Sequence, residues 1–235
     1  MKTKSKTNQI LLIDKPKGIT SFDVIRKLRK KLGIRKMGHA GTLDPLATGL
    51  LIIGIEEGTK KLKDLIGLDK EYEVEILLGT KTDTGDISGR IIEQKKVTSV
   101  NKSSIEKVLS SMVGKLKLPV PVYSAIKQGG EPLYKKARRG EKVDVPIKEM
   151  QIYNIVLHGD KPHGDGHILE ITMNVSSGTY VRSIAEEIGK RLAPTQMYIG
   201  VSSQSEQGLG VPATVKELRR TKVGEYVVEK AESIK

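Results

Sequence analysis

Residues 38 to 49, "GHAGTLDPLATG", surround one carboxylate, Asp44, with three glycines, two alanines and Pro45. Gly38, Gly41 and Gly49 permit backbone shapes and close approaches that other residues resist. Pro45 stiffens the turn just after the acid. Such a turn aims a side chain with little freedom, as catalysis requires. It would equally serve an Asp that caps a helix or a turn, and the residue types alone leave both uses open.

Two other sets of reactive side chains yield less. Asp83-Thr84-Gly85 has the triplet of aspartic proteases, which work with paired carboxylates sharing a proton. Such a triplet should end an apolar strand, whereas Lys81 and Thr82 precede this one. As a calcium loop counted from Asp83 it fails, with Gly85, Ile87 and Gln94 at the third, fifth and twelfth positions. Asp and Thr side chains closing a turn is the better reading. His158, His163 and His167, with Asp160 and Asp165 between them, carry donors that a divalent ion accepts. Their spacing is loose, and Gly159, Pro162, Gly164 and Gly166 mark a hairpin tip, so no metal site is expected. No glycine-rich phosphate or dinucleotide loop occurs, so no nucleotide cofactor is expected.

The formal net charge is +13. Residues 1 to 63 carry twelve Lys and three Arg against five acids, so the excess gathers in the quarter of the chain holding Asp44. Concentrated positive charge attracts polyanions, nucleic acid first among them; a well-solvated surface is the plainer alternative. Aromatic residues make up only 3 %, too few for a broad base-stacking platform. No run of about 18 apolar residues is present, so no membrane span is expected. "MKTKSKTNQ" leads into no signal-type apolar core. The chain has no cysteine, which excludes disulfides and fits a reducing cytoplasm, the expected compartment.

The elements that must position Asp44 are legible around it. "ILLID" reads as a strand, and Ser21 as the cap of a helix to Leu32 closed by Gly33. Phe22, Ile25, Leu28 and Leu32 form its apolar stripe; Arg26, Lys27, Arg29, Lys30 and Lys31 give it an anion face. "LLIIGI" is apolar on both faces, as in a central strand. Tyr72, Val74, Ile76 and Leu78 alternate with Glu71, Glu73 and Glu75 in a half-buried strand. "SSIEKVLSSMVG" reads as a capped helix, and "MQIYNIVL" with "HILEITMNV" as a hairpin around "HGDKPHGDG". "TYVRSIAEEIGKRL" is a helix launched from "SSG". Strands mix with helices without a βαβ rhythm, giving an α+β fold.

The order of motifs resembles the tRNA pseudouridine-55 synthases of the TruB type. "GHAGTLDPLATGLL" is similar to that family's signature; "LLIDKPKGITS" precedes it, and "KEYEVEILLGTKTDTGDISG", "PVYSAIKQGGEPLYKKARRG", "VSSGTYVRSIAEEIG" and "LRRTKVGEY" follow in the family's order. The resemblance implies a pseudouridine-synthase fold, a mixed and mostly antiparallel central sheet with flanking helices, in a single catalytic domain over 1–235. It implies Asp44 as nucleophile, Arg182 set against it, and Tyr72 stacked on the target uracil and taking part in proton transfer. It further implies Tyr180 and Leu218 lining the pocket, His39 filling the place of the extruded base, and Lys15 supporting the pocket or the RNA. The partner would be the tRNA T arm, met by a monomer needing no guide RNA, partner protein, metal or cofactor. The rival reading is a non-catalytic RNA-binding or tRNA-folding protein that keeps the fold. Two departures stand out: residues 194 to 210 are longer than the family's usual connection, and the family's small C-terminal RNA-binding domain is not expected in this sequence.

Overall fold

The computed structural model describes residues 10–97, 99–192 and 210–234. The readings made of "MKTKSKTNQ" and of residues 194 to 209 lie outside the described residues. In chain order the elements are β1 (Ile10–Lys15), α1 (Ser21–Leu32), β2 (Met37–Ala40), β3 (Thr48–Ile55), α2 (Leu62–Gly67), β4 (Lys70–Leu78), β5 (Thr80–Thr82), β6 (Ile91–Gln94), α3 (Lys102–Ser111), β7 (Gly114–Pro119), β8 (Lys127–Gln128), β9 (Glu131–Pro132), α4 (Leu133–Arg138), β10 (Ile147–His163), β11 (Gly166–Val175), α5 (Val181–Arg191), β12 (Ala213–Val223), β13 (Tyr226–Val227) and β14 (Glu232–Ser233). Most strand pairs are antiparallel, with parallel pairing at β1–β14 and β12–β3, so the fold is α+β with a mixed sheet. No described helix is long and apolar enough to cross a membrane.

The chain divides into two compact units, and the described residues of the first are 10–73, 174–178 and 217–234. Its centre is β3, buried from Gly49 onward as its unbroken apolar run requires. β1 runs antiparallel along one edge, from Ile10 opposite Gly54 to Lys15 opposite Gly49. The other edge is shared. β2 covers its far half, Met37 opposite Ile55 to Ala40 opposite Ile52. β12 then takes over in parallel, with Arg219 opposite Thr48 and Arg220 opposite Gly49. The seven residues that join β2 to β3 carry Asp44. Ala40, Leu50, Ile52, Leu62, Leu65, Val223 and Val228 form a core cluster on this sheet.

Helix α1 begins one residue earlier than the cap expected at Ser21. Thr20 is the N-cap, in a reciprocal capping box with Asp23, and Gly33 ends the helix at φ 67° as expected. Its buried stripe is Ser21, Val24, Ile25 and Leu28. Phe22 and Leu32 do not join it and are 52 % and 43 % exposed. At about 100° per residue, Phe22 is turned well away from a stripe centred on Ser21 and Leu28. Leu32 lies in the last turn, where the chain swings off through Gly33.

The second unit comprises Val74–Met173 and Thr179–Lys216. Its strands lie in the order β12, β4, β11, β10, β7. β7 and β10 pair from Pro119 opposite Ile147 to Gly114 opposite Ile152. Helix α3 is capped by the Asn101 side chain, which accepts from Ser104 N. Helix α5 buries Val181, Ile184, Ala185 and Ile188. A Cβ on Gly189 would lie 2.3 Å from the Val211 carbonyl oxygen, so only glycine lets that chain approach. The expected hairpin is present but its tip is far shorter than "HGDKPHGDG": β10 continues to His163, and only Gly164 and Asp165 turn the chain. A long antiparallel ladder overrides the local loop character of glycine and proline.

Candidate active site

Asp44 is half-buried on a turn gripped from several sides within the first unit. Ser21, at the start of α1, holds the residue before it in both directions: its hydroxyl accepts from Leu43 N at 2.9 Å and donates to Leu43 O at 3.2 Å. Ala47 N donates to Asp44 O at 3.1 Å, and Gly18 N to Pro45 O at 2.8 Å. The ammonium of Lys15 donates to the carbonyls of Ile19 at 2.7 Å, Pro16 at 2.9 Å and Pro45 at 3.5 Å. Arg220 donates through Nε to Leu50 O at 2.8 Å and through Nη2 to Gly41 O at 3.1 Å. The turn is fastened at both ends and in the middle.

Cross-strand register explains two of these contacts. Lys15 on β1 and Arg220 on β12 both stand opposite Gly49 of β3, one on each side. Both cations are essentially fully buried. Gly49 has φ 99°, and a Cβ there would lie 2.3 Å from Arg220 O, so glycine is what allows β12 to close on β3. Burial pulls the Lys15 ammonium down to about 8, against the opposing pull of the nearby Asp44 carboxylate; the Arg220 charge lowers it further. Two buried cations therefore stand behind Asp44, one of them permanently charged.

His39, on β2, is held below its ordinary range by burial and then by Arg220, which leaves it neutral at neutral pH. Its Nδ1 is buried without a hydrogen-bond partner among the described residues. Tyr72 on β4 and Leu218 on β12 are each 8 % exposed. The Leu218 carbonyl accepts from Thr48 Oγ1 at 3.4 Å, tying β12 to the start of β3. Lys15 is thus a buried support of the turn, with its ammonium committed to backbone carbonyls.

Arg182 and Tyr180 belong to the second unit, at the start of α5. Arg182 is 5 % exposed; Nη1 donates to Thr84 O at 2.8 Å and Nη2 to Tyr123 O at 3.1 Å. The Thr84 turn is itself braced. Asp86 accepts from Thr84 Oγ1 and Ser88 N, both at 3.0 Å, and Asp83 accepts from Arg90 N at 2.8 Å. The Asp-Thr-Gly triplet therefore closes a turn, and that turn seats Arg182. The Lys148 ammonium lies 5.7 Å from the centroid of the Tyr180 ring. The histidines of β10 and β11 disperse into side-chain pairs: His158 with Thr172 at 2.7 Å, and buried His167 with Asp160 at 2.8 Å.

Two buried cations are not legible in the sequence alone. Arg220 was hidden in "LRR", whose signal is the strand alternation: Arg219 faces outward to Asp14 at 2.7 Å, so its neighbour must face inward. Lys70 is also buried, donating to Ile66 O at 2.6 Å, to Leu68 O and to Ser177 Oγ at 3.1 Å.

The family model described as TruB family pseudouridylate synthase (N terminal domain) matches residues 29–181, taking in His39, Asp44, Tyr72 and Tyr180. The chain is 41 % identical over 183 residues to the tRNA pseudouridine synthase B of Xanthomonas euvesicatoria pv. vesicatoria, covering 78 % of this chain and 58 % of that protein. It is 38 % identical over 228 residues to the protein of the same name from Leifsonia xyli subsp. xyli, covering 96 % of this chain and 70 % of the relative. The chain thus spans well under two thirds of the Xanthomonas relative's length. Among solved structures, a chain of a Cbf5-Nop10-Gar1 complex is similar in fold, with TM-score 0.65, 24 % identity, and coverage of 96 % of this chain and 52 % of that one. A chain from an H/ACA RNP bound to a substrate RNA gives TM-score 0.63 at 23 % identity, covering 95 % and 50 %. From the motif order, the braced Asp44 turn and a family match across most of its length, this chain belongs to the TruB family of pseudouridylate synthases.

Proposed function

We propose that this protein isomerises uridine-55 in the T loop of tRNA to pseudouridine, with Asp44 as nucleophile. The observation that carries the reading is the braced turn: one carboxylate, fixed at Leu43, Gly41 and Pro45, in front of buried Lys15 and Arg220. The ionised carboxylate is the form a nucleophile needs. In the reaction the N1–C1′ bond of uridine breaks, the uracil turns, and a C5–C1′ bond forms. The C5 proton then leaves and N1 regains one, so no net oxidation occurs. Asp44 assists the first break by attack at the sugar or the base, and holds the pieces together for the second.

The remaining roles follow the family resemblance. Tyr72 stacks on the uracil and takes part in proton transfer, and Tyr180 and Leu218 line the pocket. Arg182 is the cation that orients the nucleophile, supported by its own rigid seating on Thr84 and Tyr123. Neutral, under-bonded His39 suits the vacancy left in the RNA stack, where a flat polar ring can replace the extruded base. Extrusion costs a few kcal/mol, which contacts to RNA phosphates and shape must supply. The enzyme works in the cytoplasm as a monomer on the tRNA T arm, without guide RNA, partner protein, metal or cofactor.

Incubation with an unmodified tRNA transcript, followed by base-resolution mapping of pseudouridine, tests the reading. Conversion at position 55, and none in a transcript carrying cytidine there, is the expected result. Tight tRNA binding with no conversion would overturn it in favour of a binding protein that keeps the fold.

A further inference from the structure

Phe22 is the only phenylalanine of an aromatic-poor chain, and 52 % of it faces solvent. Its ring is flanked along the helix by two guanidinium groups, Arg29 at 5.7 Å and Arg26 at 5.9 Å from the centroid. Positions 22, 26 and 29 fall on one face of α1, with Lys30 beside them. Arg26, Lys27, Lys30 and Lys31 are exposed on the same helix. Its one acid, Asp23, is engaged by Thr20 and Arg26. The patch begins next to the reacting centre, because Ser21, the neighbour of Phe22, grips Leu43, the neighbour of Asp44.

We propose that this face of α1 is an RNA-docking surface on which Phe22, framed by Arg26 and Arg29, stacks an unpaired base of the bound RNA while Arg26 and Lys30 engage the flanking phosphates. The inference rests on the proposed function for the identity of the RNA. The chemistry matches in both parts. Unpaired RNA bases stack on aromatic rings and guanidinium planes, and the phosphates that accompany each base need cations at its edge. An acidic protein would use the charges and leave the ring idle. A membrane surface would demand a continuous apolar stripe, and the ring of Phe22 is enclosed by cations instead.

The test is equilibrium binding of an unmodified tRNA transcript across a salt series, with pseudouridine formation measured beside it. Phe22→Leu should weaken tRNA binding by about 5- to 150-fold, the range for losing one base–aromatic stack. Because no charge changes, its salt slope should match wild type, and Phe22→Trp should bind as wild type does. Arg26→Gln with Lys30→Gln should instead flatten the slope of log affinity against log salt by about 1.4 to 1.8. Thermal unfolding of each variant identifies any loss that comes from the fold, and the Phe22→Trp comparison is read on folded protein. Phe22→Leu binding within twofold of wild type would overturn the inference, as would Phe22-dependent binding to phosphatidylserine vesicles with tRNA affinity unchanged. The two readings separate cleanly. Normal conversion with unaltered Phe22→Leu binding defeats the docking surface alone, whereas absent conversion with weakened Phe22→Leu binding defeats the proposed reaction alone.

Discussion

Replacing Gly49 by alanine probes the join on which the Asp44 turn depends. The new Cβ would lie 2.3, 2.8 and 2.9 Å from O, N and C of Arg220, all backbone atoms that cannot rotate aside. Relief requires β12 to retreat by about 1 Å from β3, which stretches hydrogen bonds of the parallel pair past a bonding distance. The pair is short, registered only at Thr48–Arg219 and Gly49–Arg220. Losing two such bonds costs about 1–3 kcal/mol, and alanine at φ 99° adds about 1–2 kcal/mol of backbone strain. The total is about 2–5 kcal/mol. Gly33 supplies an internal comparison, since at φ 67° it too is left-handed but nothing lies within 4 Å of its Cβ direction. Gly33→Ala should therefore cost only about 1–2 kcal/mol. Urea unfolding of both variants gives the stabilities. Turnover on a tRNA transcript, measured where Gly49→Ala is folded, should fall at least about tenfold, because Arg220 carries the Gly41 carbonyl with it. If Gly49→Ala were as mild as Gly33→Ala, the close packing of β12 on β3 would not brace the turn as argued.

Arg182→Lys should lower kcat by about 10²-fold with KM within a few fold, since one ammonium cannot span the Thr84 and Tyr123 carbonyls as a planar fork does; wild-type turnover would remove Arg182 from the site. Lys15 is lowered to about 8 in the fold, so between pH 8 and about 10.5 the unfolded chain binds the extra proton and stability rises with pH. The stability difference between wild type and Lys15→Met, from urea unfolding at pH 7 and pH 10, should accordingly grow in favour of wild type at the higher pH; a difference that shrinks would contradict the buried charge.

Much of this arrangement was legible in the residues because it is local. Glycines and proline around Asp44 announced a built turn, the uninterrupted "LLIIGI" announced a strand covered on both faces, and the Tyr72 alternation announced one covered on a single face. The turn-closing reading of Asp83 and Thr84 was legible for the same reason. What escaped was set by pairing across the sheet. Arg220 looks like a surface charge until register places it against Gly49, about 171 residues away in sequence, and Lys15, expected from the resemblance as a support, takes its place opposite the same glycine by that register. Residues 158 to 163 look like a loop until their ladder partner is known. Phe22 reads as core at helical spacing, yet the stripe that packs is centred elsewhere on α1.

The central claim is that Asp44 performs the chemistry while other residues hold the RNA. Asp44→Ala, verified as homogeneous and folded, should be assayed on an unmodified tRNA transcript for pseudouridine at position 55 and for equilibrium binding in parallel. No conversion is expected, with less than about one percent of wild-type turnover, and affinity should stay within a few fold, because the basic surface supplies most of the binding. Conversion above that level would contradict the assignment of Asp44 as the nucleophile.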